Sequence, residues 1–119
     1  MTDTGQQTEP GSRLLDAVLP HVGFDGWGEQ SLRAACEDTG IDPGAARVLF
    51  PRGGVDLALA YHARGDELML ARLRQSDLPT MQLRDRIRAA IRYRIEAIDD
   101  KEAVRRGAAL LALPQYAGD

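Results

Sequence analysis

The chain has 119 residues, of which 44% are hydrophobic, 28% charged and 5% aromatic. A chain of this length buries about two-thirds of its unfolded surface, which is enough for one core, and its apolar content is too high for a disordered protein. Its longest apolar run, residues 108–113, is far shorter than the ~20 residues of a membrane-crossing helix. One cysteine excludes an internal disulfide framework and a cysteine-clustered zinc site. The N-terminal sequence shows no basic-then-apolar leader, so we expect a cytoplasmic protein.

The charge is unevenly divided along the chain. The formal net charge is −3, from 15 Lys+Arg and 18 Asp+Glu. Residues 1–60 contain four arginines and nine acidic residues, a balance of −5, whereas residues 61–119 contain 11 basic and nine acidic residues, a balance of +2. The slight excess of basic residues therefore lies in the second half of the chain.

The apolar spacing is helical after a polar start, and no strand-like alternation extends over four residues or more. Residues 1–11 are predicted to form a disordered tail. The predicted helices cover about residues 12–22, 29–38, 43–50, 55–75, 80–98 and 99–113. The sequence therefore predicts an all-α fold, with a helix-turn-helix domain of three helices at 12–54. A long linking helix and an incomplete C-terminal helical region follow at 55–119.

Residues suited to helix ends mark several of these boundaries. Gly40 suits a left-handed residue after the second helix, and Asp42 is placed to cap the third. Ser12 is the candidate cap of the first helix. Asp99 and Glu102 have the spacing of a capping box for the last helix.

Four further residues bear on packing. Gly65 weakens the predicted continuity of the long fourth helix. Phe24 and Trp27 are predicted to pack in the glycine-rich turn beneath the first helix. Cys36 takes a small-residue position of the second helix, where a buried and inert thiol is expected.

The fifth helix has the clearest pattern in the chain. Its apolar residues form what we name the isoleucine stripe: Leu83, Ile87, Ile91, Ile95 and Ile98. On the opposite side we expect the arginine row, which consists of Arg84, Arg88 and Arg92. One interpretation is a buried stripe with solvated arginines; the other is a basic amphipathic helix that meets an anionic membrane or an acidic partner. The candidate apolar face for a ligand or a dimer contact comprises Ile87, Ile91, Ile95, Leu110 and Leu111.

Segment 32–50 resembles the N-terminal domain of TetR-type regulators. The matching residues, in order, are Gly40, Ile41, Asp42, Gly44 and Phe50. In that family a threonine, a tyrosine and a lysine contact DNA phosphates, and the corresponding residues here are Ala45, Arg47 and Gly53. Two of these three have no polar side chain, and the surrounding half is acidic, so we interpret them as vestigial and expect no nucleic-acid binding.

Three segments, 21–27, 49–56 and 100–115, resemble bacterial members of the coenzyme Q biosynthesis protein 9 family, also described as rpsU-divergently transcribed proteins. The last two contain the sequences FPRGG and LALP. The resemblance implies a TetR-like fold and a homodimeric accessory factor that holds an isoprenoid or a phospholipid. It also implies a ubiquinone-biosynthesis hydroxylase, or the surface of the inner membrane, as the partner. The family's C-terminal helices are expected to have no counterpart in this chain.

Catalytic chemistry finds little support in the sequence. His21 and His62 have no neighbouring His or Cys at metal-ligand spacing, and no phosphate-binding loop follows a strand. We therefore expect neither an enzyme nor a cofactor, and predict an accessory lipid-binding protein of ubiquinone biosynthesis. The alternatives are a TetR-like DNA-binding transcriptional regulator and a dimerisation module without a ligand.

Overall fold

The structure is a computed structural model that describes residues 9–116. Within this range it contains no strand, and its six α-helices are α1 Pro10–Asp25, α2 Glu29–Thr39, α3 Pro43–Leu49, α4 Gly54–Gln75, α5 Leu83–Glu96 and α6 Lys101–Leu111. Short 3-10 turns lie at Leu78–Thr80 and Pro114–Tyr116. The all-α prediction is confirmed, and the arrangement of α1 to α4 is consistent with a TetR-like one.

The first helix begins earlier than predicted. Residues 1–8 of the predicted tail lie outside the described residues, but Pro10 and Gly11 form the first turn of α1, so Ser12 is not its cap. Proline is favoured at the first helical position because its missing N–H has no partner there in any helix. The predicted boundary at residue 12 was therefore two residues late.

The ends of the short helices follow the predicted chemistry, with one correction. Gly40 ends α2 with a left-handed φ of 73°, and the Asp42 carboxylate accepts hydrogen bonds from the backbone N–H groups of Gly44 and Ala45. The last helix is capped by Asp100, whose side chain accepts from the backbone N–H of residue 103. Asp99 is therefore not the cap; its Oδ1 accepts a 2.5 Å hydrogen bond from the Tyr61 hydroxyl of α4.

The core lies between α1, α2 and α4, and α6 closes one end of it. Leu14, Val18 and Leu57 are fully buried there. The Trp27 indole is also buried; its Nε1 donates a 2.9 Å hydrogen bond to the carbonyl of Ala103, so the turn after α1 is tied to α6. The predicted packing of Phe24 is wrong, because 92% of that residue is exposed.

The long helix α4 is continuous through Gly65, so the helix predicted at about 55–75 is confirmed although this glycine weakened the prediction. A Cβ at this position would lie 2.5 Å from the guanidinium of Arg94 of α5. The same guanidinium donates hydrogen bonds to Asp66 and to the carbonyl of His62. Gly65 is therefore a site of close approach between α4 and α5.

Candidate functional site

The face of α3 that would read DNA in a helix-turn-helix protein offers little to a phosphate. Arg47 is its one charged candidate, and its Nη2 lies 2.6 Å from Glu29 Oε2. This hydrogen bond lowers the pKa of Glu29. Ala45 is exposed and apolar, and Gly53 has a φ of 64° that favours glycine. Arg47 and Gly53 thus have structural explanations that do not involve DNA.

The cleft beside α3 has mixed charge with an excess of acid. Its volume is about 660 Å³ and its floor contains Leu32, Cys36 and Ile41. The charged residues that line it are Glu29, Glu37, Asp42, Arg33 and Arg47. A DNA-binding surface must instead supply several free cations to neutralise phosphates.

The isoleucine stripe is exposed over the whole length of α5. The exposed fractions are 71% for Leu83, 52% for Ile87, 56% for Ile91 and 60% for Ile95. Ile98 lies past the end of the helix and is half-buried. The interpretation of the stripe as core is therefore wrong for this chain, because four large apolar side chains in a row face outward.

The arginine row borders the stripe instead of lying opposite to it. At 3.6 residues per turn, the mean directions of row and stripe differ by about 80° around the helix. Arg84 and Arg88 are exposed and form no ion pair with the described residues. Arg92 lies 5.1 Å from the centroid of the Tyr93 ring and 3.8 Å from Glu96. Together the two features form one continuous surface, apolar on one side and cationic on the other.

A different side of α5 packs on α4. Ala89 is its one buried residue, and the Tyr93 hydroxyl lies 3.1 Å from Ser76 Oγ at the end of α4. Two ion pairs between the helices, Arg94–Asp66 at 2.8 Å and Arg72–Glu96, complete this contact. Because the packing side carries an alanine and polar contacts, the large aliphatic residues are left on the outside.

The predicted apolar face is not continuous. Leu110 packs against the hydrophobic core, and Leu111 is half-buried, whereas Ile87, Ile91 and Ile95 are exposed. Leu110 therefore contacts the core, and the role of the five residues as a ligand or dimer face stays a prediction. The helical pattern of α6 alone does not tell which of its leucines meets the core.

No group of three or more His, Cys, Asp or Glu side chains that could hold a metal ion occurs among residues 9–116. Cys36 is buried, and burial raises the pKa of its thiol. Burial also lowers the pKa of His62, with a further contribution from the Arg94 charge. Burial, followed by the hydrogen bond to Asp99, raises the pKa of Tyr61 to about 12. These shifts hold the three groups in their neutral forms near pH 7, as is common for structural residues.

A second surface, which we name the α1–α4 groove, was not predicted from the sequence. It has a volume of about 1070 Å³ and runs between the start of α1 and the middle of α4. Leu15, Phe50, Ala60, Ala63, Leu68 and Ala71 supply its apolar lining, and its charged lining residues are Glu9, Asp16, Arg64, Glu67 and Asp99. The spacing of Ala63, Glu67 and Ala71 on one side of α4 was the available signal.

Comparison with known proteins gives one informative similarity. The chain is 30% identical over 111 residues to the mitochondrial ubiquinone biosynthesis protein COQ9 of Drosophila melanogaster. The alignment covers 89% of this chain and 34% of the fly protein, so the chain spans about a third of that relative's length. No protein-family model matches the chain, and no solved structure matches it. No described helix has the length and hydropathy of a membrane span.

Proposed function

We propose that this chain acts as a non-enzymatic accessory protein of ubiquinone biosynthesis that holds an isoprenoid-type lipid. The observation that carries the proposal is the exposed isoleucine stripe of α5 with the arginine row at its border. The similarity to the fly ubiquinone biosynthesis protein, which reaches most of this chain, supplies the biosynthetic context.

The chemistry of α5 suits a long, branched apolar tail. Four aliphatic side chains between positions 83 and 95 of this helix give an apolar track about 18 Å long. Contiguous exposed apolar surface marks interaction sites, because covering it removes an unfavourable contact with water. The adjacent arginines suit an anionic membrane surface or an acidic region of a hydroxylase, which we propose as the partner.

The DNA-binding alternative receives less support. Arg47 is bound to Glu29, and the neighbouring cleft contains three carboxylates and two arginines. A duplex would therefore meet a surface with no net positive charge at the point where the helix-turn-helix should approach it.

Lipid retention by the full chain tests the proposal. Native mass spectrometry of protein purified without detergent should show a bound lipid, and extraction should identify an isoprenoid tail. Ile91→Glu places a charge in the stripe and should reduce lipid occupancy at least about tenfold. Phe24→Glu is the matched control, because it removes an exposed apolar side chain elsewhere and should leave occupancy unchanged.

A duplex-DNA titration at physiological ionic strength completes this experiment. The proposal predicts no binding at micromolar protein. Lipid-free protein that binds a defined duplex would contradict it and support a transcription regulator instead.

A further inference from the structure

The chain carries two open surfaces of complementary character. One is the surface of α5, where the isoleucine stripe borders the arginine row. The other is the α1–α4 groove, which is apolar along its floor and acidic at its rim. Both surfaces are present in every copy of the chain. The groove of one copy can therefore cover the α5 surface of another.

The shape of the groove suits a helix. On α4 its lining residues include Ala60, Ala63 and Ala71, and on α1 they include Gly11 and Ser12. Small side chains at a contact allow two helices to approach to the short end of the usual 8–10 Å interaxial range. Leu15 and Phe50 form an apolar floor beneath this opening, where the aliphatic side chains of a docked helix would insert.

The charges of the two surfaces are opposite. Four carboxylates and one guanidinium line the groove, and that guanidinium, Arg64, is already 2.6 Å from Asp16. The arginine row supplies three positive charges, of which Arg84 and Arg88 have no acidic partner among the described residues. Complementary charge of this kind selects a partner and its orientation.

The two surfaces lie on roughly opposite sides of α4. Gly65 and Arg72 contact α5, whereas Ala63, Glu67 and Ala71 line the groove. At 3.6 residues per turn these two sets differ in direction by nearly half a turn. Copies can therefore stack with α5 of one over the groove of the next, without α5 leaving its own α4.

Antiparallel pairing of two stripes with each other is disfavoured. Helix α5 contains five arginines and two acidic residues, and Glu96 is engaged with Arg72. In an antiparallel two-fold pair, the same flanks of the two helices meet, so one arginine row would face the other. Like charges in direct contact oppose association.

We infer that copies of this chain associate head to tail, with the isoleucine stripe and arginine row of one copy docked in the α1–α4 groove of the next. Such a contact is heterologous, so it forms a ring or an open series instead of a two-fold dimer. One helix of about 21 Å buries less than a standard interface, so the association should be weak, with a dissociation constant in the micromolar range. This inference goes beyond the proposed function, and a lipid on the stripe would compete with the neighbouring copy.

Sedimentation velocity of the lipid-free full chain, from about 1 to 300 μM at low salt, tests the inference. The average mass should rise with concentration beyond that of a dimer, and should fall when ionic strength is raised because the charged rim is screened. Ile91→Glu blocks the stripe and Ala63→Arg blocks the groove, and each variant alone should be monomeric. Both residues are exposed, so the monomer fold should persist, as far-ultraviolet circular dichroism will check. Ile87→Glu and Ala71→Arg replace either variant that does not fold.

Mixing the two blocked variants provides the sharpest result. Each retains the surface that the other lacks, so the mixture should form a 1:1 heterodimer and stop there. Phe24→Glu, the matched control, should assemble as the wild type does. Monomeric wild-type chain at 300 μM would overturn the inference, as would assembly abolished by Ile91→Glu but insensitive to Ala63→Arg. Monomeric chain that sediments with anionic vesicles through the stripe would overturn it in favour of a bilayer. Monomeric chain that retains lipid would overturn it while leaving the proposed function standing.

Discussion

Helices α1 and α5 are both amphipathic, yet they use their apolar residues in opposite ways. In α1, Leu14, Leu15 and Val18 are buried against α2 and the rest of the core. In α5, Ile87, Ile91 and Ile95 are more than half exposed, and Ala89 is the buried residue. The comparison shows that an apolar stripe identifies a helix face suited to packing against another surface. It does not show whether that surface belongs to the same chain.

The largest expected difference is between alanine substitutions in the apolar stripes of the two helices. Leu14→Ala should reduce the free energy of unfolding by about 2–5 kcal/mol, because it leaves a cavity in a fully buried position. Ile91→Ala should change it by less than about 0.5 kcal/mol, because the side chain is largely exposed in the single chain. Urea unfolding followed by circular dichroism at a low micromolar concentration measures both. Equal losses would show that the stripe is covered within one copy.

Alanine substitutions at two glycines, one closely packed and one open, should differ in their effect on stability. A Cβ on Gly54 would lie 2.5 Å from backbone atoms of Trp27 and Gly28, so Gly54→Ala should destabilise the chain by about 1–3 kcal/mol. Gly23 lies in α1 with nothing within 4 Å of such a Cβ, and Gly23→Ala should stabilise by about 0.5–1 kcal/mol through helix propensity. Thermal unfolding of the two variants beside wild type measures the difference. Two changes of the same sign would contradict the packing of α4 on the turn before α2.

The smallest expected effect concerns Tyr61, which links α4 to the segment between α5 and α6. Its pKa is raised to about 12 in the folded chain, against about 10 in the unfolded chain. The folded state therefore keeps a proton that the unfolded state loses, so the free energy of unfolding should fall as the pH rises from about 10 to 12. Tyr61→Phe should lose about 1 kcal/mol at neutral pH and flatten this fall. Parallel slopes for variant and wild type would rule out ionisation of Tyr61 as the cause.

Local features were the ones that the sequence predicted well. The cap at Asp42 and the end at Gly40 depend on a few neighbouring residues, and both are as expected. Trp27 was assigned to the right region, but Phe24, three residues away, is exposed. Its outward position depends on the geometry of the following turn, which hydrophobicity does not encode.

Long-range features were the ones that the sequence left open. Gly65 looks like a weak point of a helix until Arg94, 29 positions later, is found lying against it. The α1–α4 groove joins residues from Glu9 to Asp99, and no local pattern brings those together. The contact of Leu110 with the core was open for the same reason, because it follows from the position of α6 and not from the periodicity of that helix.

The contacts that hold α5 on α4 differ in kind from those of the core. The contacts between α5 and α4 include one buried alanine, the Arg94 guanidinium against Gly65, the ion pairs Arg94–Asp66 and Arg72–Glu96, and the Tyr93 hydroxyl. Charged contacts at a partly exposed boundary weaken as electrolyte is added, whereas a packed aliphatic core does not. We therefore expect the contact of α5 with α4 to weaken as ionic strength rises, whereas the core between α1, α2 and α4 should be unaffected.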